Sequence, residues 1–215
     1  MTGVLRYVKL TFERHHGDCM ITFTRRGAVA LLAGAGLCLT STVQARPYYM
    51  THIQAFVDAH VIPWRDTSRM ADLVKACNAS QGMLSRPQLL ELDNQWASEI
   101  ALGRGPLLDS VLNSPLAKIL RDFQSDNVGV VTELFVIGRP GFICASTEPT
   151  SDFWQADEPK WSEIFGANRS DCFIAPVDRD DSALVNQSQV SLVITDPQSG
   201  QRIGVLVVGV NIEAL

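Results

Sequence analysis

The run IGVLVVGVNI, residues 203–212, constrains the fold more than any other stretch: in ten positions it carries one polar side chain, Asn211. A half-solvated strand alternates apolar and polar residues, whereas a strand apolar at nearly every position has both faces covered. The run is therefore expected to lie centrally in a sheet. QVSLVIT (189–195) precedes it as a second strand. DPQSG (196–200) joins the two, with Pro and Gly where a hairpin turn uses them. Upstream, VGVVTELFVIG (128–138) and FICAS (142–146) read as strands joined by the turn RPG, and CFIAPV (172–177) reads as another.

The period changes before residue 126. THIQAFVDAHVIPW (51–64) places Ile53, Phe56, Val57 and Val61 at three- and four-residue steps, and Pro63 ends or bends that helix. Asp66-Thr67-Ser68 can cap the next helix, which carries Met70, Leu73 and Val74. SRPQLLELDNQWASEIALG (85–103) has Ser85 and Gln88 spaced as a capping box, Pro87 in its first turn, and Leu89, Leu92, Trp96 and Ile100 as one stripe. Gly103 can stop it. PLLDSVLNSPLAKILRDF (106–123) is a further helix, interrupted by Pro115. The expectation is an α+β fold, with N-terminal helices (46–125) packed on one face of a five-stranded, mostly antiparallel sheet (126–215). A loop-and-helix insert lies between strands two and three. A single domain over 46–215 fits the 46% apolar and 19% charged composition, which is that of an ordinary globular chain.

Residues 1–45 read as an upstream extension and a secretory signal. Arg25 and Arg26 precede the uncharged run GAVALLAGAGLCLTSTV, and Val43-Gln44-Ala45 offers small residues for cleavage near Ala45. Met20 is the natural start of such a signal. The expected location is periplasmic or secreted; the alternative is an uncleaved anchor in the inner membrane, although the apolar run is short for a span. Five of the chain's 18 Lys/Arg and two of its 23 Asp/Glu fall in that segment, so residues 46–215 carry 13 and 21, a net charge of −8. Such a surface repels nucleic acid and anionic lipid. Three cysteines follow the signal, Cys77, Cys144 and Cys172, enough for one internal disulfide. Which two pair, if any, depends on Cα separations that the sequence does not give.

The insert TSDFWQADEPKW (150–161) holds two of the four tryptophans, three acids and a lysine. A small-molecule pocket needs a mostly apolar wall and a few oriented polar groups. Phe153, Trp154 and Trp161 supply a wall that also suits a cation. Lys160 can meet a carboxylate, and Asp157 or Asp152 an amine. The competing structural roles are plain: the acids cap helices, and Trp161 and Phe165, four apart, anchor a short helix. DRDD (178–181) lacks the glycine and later glutamate of a calcium loop and reads as a solvated turn. No G-x-S-x-G, P-loop, H-E-x-x-H or zinc spacing occurs, and residues 46–215 contain only His52 and His60. No catalytic residue, metal or cofactor is assigned.

VTELFVIGRPGFICAS, TSDFWQADEPKW and DDSALVNQSQVSLVITDPQSGQRIGVLVVGVNI, in that order, resemble a single Cache (PDC, PAS-like) extracytoplasmic sensor domain. The resemblance is specific over about the last 90 residues and extends to the helical half by arrangement. It implies a ligand held between the sheet and the insert, with Phe153, Trp154, Asp157, Lys160 and Trp161 at the pocket and Asp181 and Ser182 approaching from the side. The turn Gly138-Arg139-Pro140-Gly141 lacks the acid of the family's Asp-x-x-Gly, so any contact made by that acid is missing. The family's last strand runs on toward an output domain, whereas four residues follow Asn211 here. The expectation is thus an exported sensor module for a small polar metabolite (an amino acid, an amine or an organic acid) without its own transmembrane output domain, reporting to a membrane sensor protein. An exported protein-interaction module that has lost its ligand is the alternative, and a small hydrolase the third.

Overall fold

The structure, a computed structural model, describes residues 47–82, 84–165, 171–180 and 185–215. The segment expected to be an export signal, residues 1–45, and Asp181 and Ser182 lie outside the described residues. The first helix, α1 (Tyr48–Phe56), buries Met50 and Ile53 and continues as a π-helical segment, Val57–Val61, into α2 (Ile62–Arg65). Pro63 therefore does not end the helix, which runs on to Arg65. A proline has no N–H and its ring crowds the carbonyl four residues back. The wider π turn accommodates this, with the Ile62 N–H donating five residues back to Val57 O.

Helix α3 (Ser68–Gln81) starts on Thr67, whose hydroxyl accepts from the Met70 N–H at 3.4 Å. Helix α4 (Arg86–Leu102) opens on the Ser85–Gln88 capping box and closes on Gly103 at φ 64, a left-handed conformation that glycine adopts without strain. Pro115 splits the next segment into α5 (Pro106–Leu112) and α6 (Pro115–Asp126), with the Ser114 hydroxyl capping the Ala117 N–H at 3.0 Å.

Glu99 of α4 takes the capping role at α5, where Gly105 brings no side chain. Its Oε2 accepts the Leu108 N–H at 2.7 Å, and its Oε1 accepts from Gln95 Nε2 at 2.7 Å. A Cβ on Gly105 would stand 2.2 Å from Glu99 Cδ, so glycine is what lets the carboxylate approach. Burial pushes the Glu99 pKa up, but the bonds from Leu108, Gln95 and Leu107 outweigh it and hold the carboxyl below its ordinary value of 4.5. The contribution of Glu99 to stability is therefore complete above that ordinary value and is lost as pH falls through the lower, folded one. Urea midpoints measured below pH ~4.5 should fall less steeply with pH in Glu99→Gln than in the parent; equal slopes contradict this account.

The strands are β1 (Val131–Gly138), β2 (Ile143–Ser146), β3 (Cys172–Ile174), β4 (Asp178–Asp180), β5 (Val185–Thr195) and β6 (Arg202–Asn211). Their order is β2-β1-β6-β5-β3, all antiparallel, with β4 also on β5. The valine-rich run is thus the central strand, as expected, and the fold is α+β. The DRD stretch is a short strand, not a turn: Arg179 pairs with Asn186. The β5–β6 turn closes as expected, with Asp196 N–H donating to Gln201 O at 2.9 Å and Gly200 at φ 70.

Helices on one face of the sheet is half the arrangement. Leu134, Val136, Val190, Leu192, Leu206 and Val208 face α1, α3 and α6. Phe135, Ile137, Val193, Val205 and Val207 face the other way, into a second core with Trp96 of α4, Phe142 and Phe153, and Ile164 of α7 (Pro159–Phe165). The insert is therefore the second cover that the all-apolar central strand requires. Cys77 of α3 and Cys144 of β2 form a disulfide, Cα atoms 5.8 Å apart, that ties the helical layer to the edge of the sheet. Cys172, buried in β3, is not free either.

Candidate functional site

The insert is docked by backbone pairing. Phe142 and Trp154 form an antiparallel bridge; the Ile143 N–H donates to Phe153 O at 3.0 Å and the Gln155 N–H to Gly141 O at 2.7 Å. Asp93 of α4 clasps it from the helical side, its Oδ1 accepting the Trp154 N–H at 2.9 Å. Gly141 has φ 93, and a Cβ there would meet the Ala156 Cβ at 2.4 Å. Gly141→Ala is accordingly expected to cost about 1–3 kcal/mol of backbone strain plus the displacement of 153–156. Thermal unfolding and amide exchange over that stretch measure both, and an unshifted midpoint would show the docking to be looser than described.

Phe153 is 4% exposed and packs between Trp96, at a ring separation of 5.6 Å, and Phe142, at 5.3 Å. It is a core side chain, and it also lines a cavity at the edge of β2. Trp161 stacks on Phe165 at 4.9 Å and donates its Nε1–H to Gly138 O at 3.2 Å. Trp154 and Trp161 are both half-buried on the second core. Asp157 and Asp152 are exposed, and the residue directly before α7 is Glu158. Lys160 is the charged group of the insert that turns inward: its Nζ stands 5.4 Å from the centroid of the Phe135 ring, within cation–π range. The structure thus brings Phe153, Trp154, Lys160 and Trp161 onto one sheet face and leaves Asp157 at the surface.

What Lys160 faces was not singled out from the sequence. Register sets Phe135 opposite Val207, Val207 opposite Ser191, and Ser191 opposite Phe173, one row across four strands. The next row is Glu133, Gly209 and Gln189. Same-face neighbours along a strand lie roughly 7 Å apart. Glu133 Oε1 accepts from Gln189 Nε2 at 2.8 Å and Gln187 Nε2 at 3.3 Å, and the Thr132 hydroxyl bonds to Gln187 Oε1. Gly209 makes this crossing possible: a Cβ there would lie 2.6 Å from Glu133 Cγ and 2.8 Å from Gln187 Oε1. Ser191 is fully buried and its Oγ has no hydrogen-bond partner. The available signal was the period-two polarity of Gln187, Gln189 and Ser191, set against Val190, Leu192 and Ile194 on the opposite face.

The arrangement combines an apolar floor, a cation above an aromatic ring, an amide-bound carboxylate one row away, and an unsatisfied hydroxyl. It has the character of a binding site for a small polar molecule. His52 lies against Tyr48 within α1, and His60 of the π-helical segment lies against Phe56. Among the described residues no cluster of three or more His, Cys, Asp or Glu is arranged to hold a metal, and no helix is long and apolar enough to cross a membrane.

No protein-family model and no curated protein matches the chain. Among solved structures it is similar to the sensor domain of the V. cholerae histidine kinase DctB, at 15% identity and a TM-score of 0.39, covering 77% of this chain and 53% of that one. It is also similar to the ligand-binding domain of the Campylobacter jejuni chemoreceptor Tlp3 in complex with 4-methylisoleucine (14% identity, TM-score 0.36, 70% and 61% covered). The same domain in complex with L-valine matches at 13% identity and a TM-score of 0.35, with 77% and 64% covered. The chain thus spans between half and two-thirds of the length of these neighbours.

Proposed function

We propose that this chain is an exported sensor domain that binds a small polar metabolite on the sheet face beneath the insert, and that a membrane signalling partner reads its occupancy. One observation carries the reading. A fully buried hydroxyl without a partner, Ser191, shares a cross-strand row with Phe135, the ring over which Lys160 lies, and Glu133 stands one row away. Buried polar groups are ordinarily satisfied, and a ligand is one means of satisfying them. A carboxylate would draw Lys160 off the ring, and an ammonium group would meet Glu133. An amino acid offers both; amines and organic acids offer one each. Trp154 and Trp161 form the wall, and Asp181 and Ser182 follow Arg179 of β4 by two and three residues in the chain.

The test is a thermal-shift screen of segment 46–215 against amino acids, amines and organic acids. A ligand at a hundred times its Kd stabilises by about 2.7 kcal/mol, which for a domain of this size raises Tm by roughly 5–10 °C. Lys160→Ala, Glu133→Gln and Trp154→Ala should each reduce that shift. A shift that survives all three places the site elsewhere. No shift across the library favours a protein-interaction module.

A further inference from the structure

The two cores meet at the edge strand β2, where α3, α4, the start of α6 and α5 do not close over the sheet. A cavity of about 520 Å³ remains there. Its floor is apolar and comes from both cores: Val111, Leu116, Ile143 and Phe153, with the Cys77–Cys144 disulfide in its wall. Among the described residues, no Asp, Glu, Lys, Arg or His lines it. The rim hydroxyls are already committed within their own helices: Ser80 donates to Cys77 O and Ser110 to Leu107 O, each at 2.7 Å. Gln81 gives its Nε2 to Ile143 O at 3.1 Å, while its Oε1 is buried without a donor.

We propose that this cavity is a second binding site, separate from the sheet face under the insert, for a small uncharged and mainly apolar molecule. The volume lies in the range of small-molecule sites, and apolar cavities of this kind take up apolar guests. A charged guest would lose its hydration with no counter-charge to replace it. Because α3, α5 and β2 all contribute to the walls, a guest here would bear on the contact between the helical layer and the sheet.

The probe is N-phenylnaphthylamine, an uncharged aromatic with one N–H, titrated into the full chain and followed by its fluorescence. Saturable one-to-one binding is expected, not weakened by added NaCl. Ala76→Trp and Ser110→Trp sit on exposed rim positions, where a larger side chain blocks the mouth without entering either core. Each should weaken binding by about tenfold or more while leaving Tm in place. Lys160→Ala and Glu133→Gln should leave it unchanged, which separates this site from the first. The anionic relative anilinonaphthalene sulfonate should bind more weakly by a similar factor. Non-saturating uptake, binding indifferent to both tryptophans, or equal binding of the sulfonate would each overturn the proposal.

Discussion

With Cys77 and Cys144 both replaced by alanine, the protein should lose about 4 kcal/mol of unfolding free energy. The bridge spans 67 residues of sequence, and closing a loop of that length removes much of the unfolded chain's freedom. The native side adds to this. Cys144 lies in a buried edge strand and Cys77 one turn before the end of α3, so the bridge also holds the helical layer against β2. For a domain of this size the loss corresponds to roughly 8–16 °C in Tm. Urea unfolding of the oxidised protein, the reduced protein and the double variant measures it. Reduction also breaks the bond at Cys172, so the oxidised double variant is the one that isolates the Cys77–Cys144 bridge. A loss under about 1 kcal/mol would mean that the two elements are held together by packing alone.

Trp96→Ala should cost about 3–5 kcal/mol. Trp96 is fully buried at the centre of the second core, against Phe153, and its Nε1–H donates to Thr150 O at 2.8 Å. Truncation therefore leaves a cavity under the insert and an unpaired carbonyl at the insert's first residue. Trp96→Phe retains most of the packing but removes the donor, and should cost about 1–3 kcal/mol. Both variants should speed amide exchange across 150–161 more than across β5 and β6, because the insert hangs on this contact while the central strands do not. A cost below 1 kcal/mol for Trp96→Ala, or uniform exchange, would contradict the role given to the second core.

The elements with a local signature were legible in the sequence. The Ser85–Gln88 box, Gly103, the Pro115 break and the central valine run all depend on residues within a few positions of one another. What was not legible depends on partners far apart in the chain. Glu99 caps a helix it does not belong to, and nothing at Gly105 announces it. The Cys77–Cys144 pairing needs the docking of α3 on β2. In the proposed site, the composition of the insert pointed to it as a candidate, and Lys160 and Trp161 turn toward the sheet. Asp157 points to solvent, since composition does not say which side of a loop faces in. Glu133, Gln189 and Ser191 were passed over because each sits in a segment otherwise apolar enough to read as core. Their alternation on β5 carried the information, but its meaning depends on which face the insert covers.

The most direct measurement is chemical-shift mapping of the isotope-labelled domain with the solute that gives the largest thermal shift. The account predicts that perturbations centre on the Lys160 and Trp161 side chains and on the amides of Phe135, Gln189 and Ser191. Perturbations confined to α3, α5 and β2, with those five residues silent, would contradict it.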